Sequence, residues 1–526
     1  MKKKQPINKV LLTSILAISS AVFIYMFSLI KFVPLVYMIS LSTVVIAISG
    51  LFIYQLWFAK KIKIKPIIKN VLICLYSLSL IIASIGINQI QDSLFSLFAE
   101  IPATGEGYIV ILALVDDPIE NPREMFDGVI AIQDAVDVEN QEHAVKYIES
   151  EFQKTLDLNA YEDVILALEA LLNKECRFLM INQSYIEVLQ SNPEYEELPY
   201  KTKEIYKVSI EIDLSQIISD TKVTEEAFTV LISGTDSYGK IPTIYRSDVN
   251  ILITVNPKTK QMLITSIPRD AYVSVPCWNN QKDKLTHASA AGWREPSGIN
   301  CLIKTLEKYF DIKIDFYVKT NFSSLISIVN AVGGITIDNP YTFTFSFPPK
   351  TTFEKGSIYL NGEQALQYVR ERKSLRNGDM DRNLHQTIVL RTLIKKSLKP
   401  SMLNRSGELL EVLSKAYQTN LTGDQISSLI KMQLTDFAAW DIHSQALQGQ
   451  GIRKLSALLT KYSVFDMCAI YPNQLEVAKA NINAIINGEK ITDFSMPKGI
   501  KQNISNDTPK KKTNKKKGNK EDDGSI

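Results

Sequence analysis

The sequence predicts a mixed α/β (α+β) protein hung from a membrane by three helices. Three observations carry that prediction. The N-terminal part is apolar and holds no Asp or Glu before Asp92. Beyond it, β-branched strand runs alternate with helical patterns. In the second half, several strand runs end in charge, as in FTVLISGTDSYGK, IYRSDVNILITVN and MLITSIPRD.

The apolar stretches cover residues 10–30, 33–58 and 71–90. Each reaches the ~20 residues needed to cross a bilayer core. A cleaved signal peptide is the competing reading of the first, but two more spans follow and no clear cleavage site ends it. Lys2, Lys3, Lys4 and Lys9 precede the first span, and Lys31 stands alone after it. Lys60, Lys61, Lys63, Lys65 and Lys69 fill the second gap, and no Lys or Arg follows the third span until Arg123. The positive-inside rule therefore places the N-terminus in the cytoplasm and the chain after residue 91 outside. The expected location is the cell membrane, multi-pass.

The remaining chain, about 435 residues, is enough for two or three domains. The expected division is a membrane part (1–91), an accessory α/β domain (92–225), a main domain (226–400), a C-terminal part packed on or following it (401–495) and a tail (496–526). The net charge of +3 hides an acidic stretch over 101–200 and a lysine-rich end. In the accessory segment, 108–115 and 178–181 read as strands. Residues 141–156, 161–172 and 184–190 read as helices, an alternation that suggests a parallel sheet. Its carboxylates read as a solvated face, with a metal or partner surface as the alternative.

In the main domain, 230–233, 249–255 and 262–267 have the apolar, β-branched character of buried strands. Residues 298–310 and 322–332 read as helices, with Gly333-Gly334 as a stop before a strand at 335–337. A polar cap at Asn361 opens a helix whose end delivers Arg370 and Arg372. A further helix over 383–398 follows the loop carrying Asp379 and Arg382, and Arg382 and Gln386 share one of its faces.

Two aspartates, Asp236 and Asp248, can hold a hard cation through oxygen. Arg246, Arg269, Arg370, Arg372 and Arg382, if they converge, can hold phosphate oxygens as bidentate forks. Phoshoryl transfer from a pyrophosphate needs that combination. GTDSYG is not a G-x-S-x-G hydrolase elbow, no Walker lysine motif is present, and the histidines are too scattered for a metal motif.

These blocks, together with KLTHASAAG, DFYVKTNFSSLISIVNAVGGITID and LNGEQALQYVRERKSLRNGDMDRNLHQ, resemble in order and spacing the LytR-CpsA-Psr family. The resemblance runs from about residue 228 to 400, and more weakly to about 488. It implies a central mixed sheet flanked by helices. It also implies transfer of a glycopolymer, such as a capsular polysaccharide or teichoic acid, from a polyprenyl-pyrophosphate carrier to peptidoglycan outside the membrane. Asp236 and Asp248 would be Mg²⁺ (or Mn²⁺) ligands. Arg246, Arg269, Arg370, Arg372 and Arg382, with Gln386, would clamp the pyrophosphate. Arg246, Arg269 and Asp379 would be closest to the chemistry, with Asp379 orienting Arg382 or acting as base; a carboxylate amid arginines makes a poor base. His385 stands where many relatives carry Arg, so it either thins the positive field at a phosphate contact or lies on a helix face near the site rim.

The expected partners are the lipid-linked glycopolymer, peptidoglycan, the membrane and capsule-assembly proteins. Nucleic acid is excluded, since no helix-turn-helix pattern is evident and the large domains are expected outside. A membrane-anchored regulator or scaffold and a polyprenyl-pyrophosphate hydrolase are the alternative functions. Cys277 and Cys301 flank one loop-rich segment and are expected to pair, which would contribute ~3 kcal/mol; two buried thiols are the alternative. The lysine-rich tail from about Met496 cannot bury enough apolar surface to fold.

Overall fold

The computed structural model describes residues 7–30, 32–58, 66–97, 104–134, 137–190, 194–213, 219–241, 245–290, 298–405, 412, 416–457, 464–489 and 491. The lysines at 2–4 and 60–65 and the tail from about Met496 lie outside these residues.

Three helices, α1 (Ile7–Ser28), α2 (Leu35–Trp57) and α3 (Pro66–Leu97), hold segments long and apolar enough to cross a membrane. Small polar side chains join them. Ser20 Oγ and Ser49 Oγ are 2.8 Å apart, and Trp57 Nε1 donates to Thr13 Oγ1 at 3.0 Å. In lipid, where helices gain little from apolar contact, such bonds help to fix pairing.

The accessory segment contains β1 (Thr104–Leu114), β2 (Ile130–Gln133), α4 (Val138–Phe152), β3 (Leu158–Tyr161), α5 (Val164–Leu172), β4 (Phe178–Asn182), α6 (Gln183–Leu189), α7 (Leu198–Lys201) and β5 (Thr202–Asp213). They build a five-stranded sheet of order β3-β2-β4-β1-β5. The expected parallel sheet is only half right. Strands β2, β3 and β4 run parallel, but β1 pairs antiparallel with both β4 and β5. The helix expected from residue 161 starts later, because Asp163 caps α5 by accepting from Ile165 N–H at 2.6 Å, and the preceding residues are strand β3.

The main domain is ordered by a six-stranded mixed sheet. In chain order come β6 (Phe228–Gly234), β7 (Val249–Asn256), β8 (Gln261–Ile267), β9 (Tyr272–Val275), β10 (Gln281–Lys284), α8 (Leu285–Ala288), α9 (Ile299–Phe310), β11 (Phe316–Thr320) and α10 (Phe322–Ala331). Next are β12 (Ile335–Asn339), β13 (Phe343–Thr344), β14 (Thr352–Phe353), β15 (Gly356–Leu360), α11 (Gly362–Arg370) and α12 (Asp379–Ser397). Last are β16 (Gln418–Thr419), α13 (Gly423–Asp436), β17 (Asp441–Ala446), β18 (Gly449–Leu455), β19 (Val464–Ile470) and α14 (Pro472–Asn487). The sheet order is β16-β11-β6-β7-β8-β17, so the segment after residue 400 supplies both edge strands.

Strands β6, β7 and β8 are apolar nearly throughout because both faces are covered. On one face Phe228, Val230, Ile251, Ile253 and Ile264 pack toward Leu390, Ile394 and Leu398 of α12. On the other, α14 lies against β7 and β8, with Asn256 Nδ2 donating to Ile485 O at 2.9 Å. A second core gathers Phe343, Phe353, Tyr368, Val389 and Leu393 between α10, α11, α12 and the β12–β15 pair. Gly333 and Gly334 end α10 at φ 74° and 71°. At a φ of 71°, Gly334 adopts a backbone conformation that L side chains rarely take, so the stop needs glycine for its backbone. Cys277 and Cys301 are disulfide-bonded with Cα atoms 5.9 Å apart, joining the 3₁₀ turn Pro276–Trp278 to α9.

Candidate functional site

Antiparallel pairing brings the charged strand ends together. Gly234 at the end of β6 faces Val249 at the start of β7, and Asn250 faces Ile267 at the end of β8. Asp236, the Arg246–Asp248 segment and Arg269 therefore emerge at the same end of the sheet. Asp248 N–H donates to Gly234 O at 2.8 Å and fixes that junction. Helix α12 points its N-terminus there, carrying Asp379, Arg382 and Gln386, while Arg370 ends α11 and Arg372 follows two residues on.

The side chains interlock around two carboxylates. Arg269 donates to Asp248 Oδ1 at 2.8 Å, and Arg246 reaches Asp248 Oδ2 at 3.9 Å. Asp379 lies 3.4 Å from Arg382, 3.6 Å from Arg269 and 3.8 Å from Arg372. That bracketing suits an orienting role better than a base. Arg370 sits apart from this cluster, exposed, with its guanidinium 4.3 Å from the Phe322 ring centroid. Gln386 is buried one turn after Arg382.

Electrostatics follow from this packing. Burial alone would raise Asp248, yet Arg269, Arg246 and Arg382 hold its carboxyl below the usual range. Burial opposes the charge of Arg269, but Asp248, Asp270 and Asp379 more than offset it and keep the guanidinium firmly protonated. Arg382 is pushed down, first by burial and then by repulsion from Arg269. Nε of Arg269 and Nε of Arg382 are buried without a hydrogen-bond acceptor. Buried guanidinium donors with no acceptor suit a polyanion that brings its own oxygens.

Asp236 is exposed at the mouth. Its carboxyl is pushed up, first by partial burial and then by the charge of Asp248, against Arg246, Arg269 and Arg370. The charge of Asp248 disfavours a second charge on Asp236, and a dication between the two oxygens would relieve that. No group of three or more His, Cys, Asp or Glu suited to a metal ion occurs among the described residues. The other ligands would be waters and phosphate oxygens, as Mg²⁺ usually prefers. The pair fits the ion on these grounds.

Two members of the cluster escaped sequence reading. Asp270 lies 3.9 Å from Arg269, and Lys284 Nζ lies 3.1 Å from Asp270. Burial would raise Asp270, but Lys284 and Arg269 hold its carboxyl down. The signal was present in IPRD, one residue past Arg269, and in the first letter of KLTHASAAG.

His385 is neither a phosphate contact nor a rim residue. Its ring is fully buried, stacked 4.2 Å from Tyr368 and 4.8 Å from Phe343, with Nδ1 3.1 Å from Tyr368 O. Burial pushes it down to about 4, so it is neutral at physiological pH and adds no positive field. Its folded value lies below the ordinary ~6.5, so its linkage term is fully favourable above pH ~6.5 and is lost as pH falls toward 4. The slope over that window should shrink in His385→Gln by up to about 3 kcal/mol, read by urea unfolding at pH 4.5 and 7. Equal slopes in both proteins would contradict a buried neutral ring.

The mixed sheet gathers arginines and aspartates at one end, an arrangement with the charge and donors to suit a phosphate. The chain belongs to the LytR_cpsA_psr family, whose characteristic sequence matches residues 187–470. A polyisoprenyl-teichoic acid–peptidoglycan teichoic acid transferase TagU of Bacillus mycoides (strain KBAB4) is 35% identical over 206 residues, which are 39% of this chain and 64% of that protein. The same-named protein of Bacillus cereus (strain AH820) is 33% identical over 237 residues, 45% of this chain and 75% of that one. Among solved structures, B. subtilis TagV is 26% identical with a TM-score of 0.43, covering 51% of this chain and 99% of that one. B. subtilis TagU is 29% identical with a TM-score of 0.37, covering 51% and 100%.

Proposed function

We propose that the chain transfers a glycopolymer from a polyprenyl-pyrophosphate carrier to peptidoglycan, with teichoic acid as the polymer class its relatives' names indicate. One observation carries the reading: Arg246, Arg269, Arg372 and Arg382 converge on Asp248 and Asp379 while buried guanidinium donors remain without acceptors. A pyrophosphate supplies those acceptors. A hydroxyl of a peptidoglycan sugar attacks the phosphorus next to the glycan. The new P–O bond forms as the bridging P–O bond breaks, and polyprenyl phosphate leaves, its departing oxygen taking up the proton the hydroxyl gives up. The arginines take up charge on the transferring and leaving oxygens. Mg²⁺ held by Asp236 and Asp248 would add Lewis-acid charge at those oxygens. Asp379 holds Arg269, Arg372 and Arg382 in place.

The polyprenyl tail would enter the apolar seam between the sheet and α12. Ile232, Val249, Met262, Leu390 and Ile394 there are only partly buried. The lysine asymmetry around the three apolar helices supports a cytoplasmic N-terminus and an outward site. A reporter fused after residue 97 that reads cytoplasmic would defeat both topology and substrate access.

The test is transfer itself. Full-length protein in detergent is incubated with a polyprenyl-pyrophosphate-linked oligosaccharide and peptidoglycan fragments, with and without Mg²⁺. The expected product is a phosphodiester-linked conjugate plus polyprenyl phosphate. Free phosphorylated oligosaccharide alone would favour a hydrolase, and no turnover at all would favour a scaffold.

A further inference from the structure

Beside the arginine cluster, the loop that carries Asp236 also holds up an aromatic ring. Tyr238 is 60% exposed, although it sits only two residues beyond the carboxylate. That exposure is not the mark of a loose loop. Phe322 N–H donates to Ser237 O at 3.0 Å, Gly239 N–H donates to Ser323 Oγ at 3.1 Å, and Asn321 Nδ2 donates to Gly239 O at 2.9 Å. The Phe322 ring, which rests on the aromatic core, meets Tyr238 at 5.2 Å and 70°. Arg370 lies on Phe322 at 4.3 Å, so Tyr238 and a site arginine are linked through one ring. Between Asp236 and Tyr238, Ser237 Oγ is buried without a hydrogen-bond partner.

We propose that Tyr238, Phe322 and Arg370 form a sugar subsite at the mouth, where the open face of Tyr238 stacks on the pyranose ring joined to the donor's phosphate. This subsite rests on the donor class proposed above. The chemistry matches the geometry in three ways. A pyranose presents a face of C–H groups, which suits an aromatic plane. In a glycosyl pyrophosphate the ring is one oxygen from phosphorus, so a phosphate held by the arginine cluster beside Asp236 brings the sugar to the adjoining loop. The three backbone and side-chain ties hold Tyr238 before the ligand arrives, so little ordering remains to be done on binding. The carrier's isoprene units would instead meet the partly buried apolar side chains between the sheet and α12.

Two probes separate the possibilities: a short-chain polyprenyl pyrophosphate, and the same molecule bearing one N-acetylglucosamine. Each is titrated calorimetrically into full-length protein in detergent micelles with Mg²⁺. Tyr238→Ala should weaken the sugar-bearing probe about tenfold, the size of one aromatic contact, and leave the bare pyrophosphate unchanged. Tyr238→Trp should retain the sugar-bearing affinity. Equal weakening of both probes, or of neither, overturns the subsite. So does unchanged donor binding with a raised KM for peptidoglycan, since the ring would then face the acceptor. If neither probe binds the unaltered protein, the donor class itself is wrong and the subsite falls with it.

Discussion

Arg269→Ala should lower transfer by about 10²- to 10³-fold, the usual cost of removing one donor aimed at charge that develops in the transition state. No other side chain at this site contacts so many acids: Asp248 at 2.8 Å, Asp379 at 3.6 Å and Asp270 at 3.9 Å. Its loss also leaves Asp248, which is buried, with Arg246 at 3.9 Å as its remaining ion-pair partner among the described residues. Breaking a buried pair from one side costs about 3–5 kcal/mol, so a fall in stability should accompany the fall in rate. Arg269→Lys separates the two effects. Lysine restores the charge and much of the stability, but a point charge cannot reproduce a planar fork shared between Asp248 and a phosphate. Its transfer should stay well below that of the unaltered protein while its urea midpoint recovers. Unchanged transfer in Arg269→Ala would remove this residue from the chemistry.

Asp248→Asn should abolish Mg²⁺-dependent transfer with the fold intact. The amide keeps the shape and can still accept a hydrogen bond from Arg269. It removes a negative charge that lies 3.9 Å from Arg246 and 2.8 Å from Arg269, and it takes an anionic oxygen from the pair with Asp236. Titration with Mn²⁺ should show weakened binding, and unaltered affinity would rule out the carboxylate pair as the ion's ligands. The pH dependence supplies an independent readout. The Asp248 carboxyl is held below its usual range in the folded protein: burial acts the other way, and the arginines prevail. A depressed carboxylate contributes stability in full above its unfolded value of ~3.9, and loses it as pH falls through the lower folded value. The unaltered protein should therefore lose stability steeply below about pH 4, and Asp248→Asn should show a shallower slope. Asp270, also depressed, keeps part of the slope in both proteins. Identical acid profiles would mean that the Asp248 charge is not held by the arginines.

The long apolar helices, the strands and the charged strand ends were legible in the sequence because local pattern determines them. Twenty apolar residues without a carboxylate have few homes other than a bilayer. The runs 249–255 and 262–267 are rich in Val, Ile and Leu because both faces of β7 and β8 are covered, and that shows in composition alone. The turn Asn256-Pro257-Lys258 marked where one strand gives way to the next. Local pattern failed where neighbours in space decide. The helical pattern read over 161–172 begins at Tyr161, yet Tyr161 completes a strand beside β2 and Asp163 caps the helix that follows. The antiparallel placement of β1 in the accessory sheet is a matter of long-range pairing, which alternation of strands and helices does not encode.

The same division runs through the site. Arg246, Asp248 and Arg269 could be named from the sequence because charge at a strand end is conspicuous. That Arg269 donates to Asp248, that Asp379 sits among three arginines, and that Asp270 and Lys284 join them depends on which strand ends meet. Only the β6-β7-β8 register and the approach of α12 settle that. His385 shows the contrast most clearly. Its position in DMDRNLHQ, three residues after Arg382, suggests a place in the positive field. The α12 face on which it lies turns into an aromatic core, where burial disfavours the charged ring and leaves it neutral. Tyr238 is the converse: an unremarkable letter in TDSYGK that the ties to α10 hold at the mouth of the site. The sequence determined which charges were available and that the chain carries apolar spans. Tertiary structure decided which charges face one another and which lie in water, because electrostatic energy depends on distance and burial rather than on order along the chain.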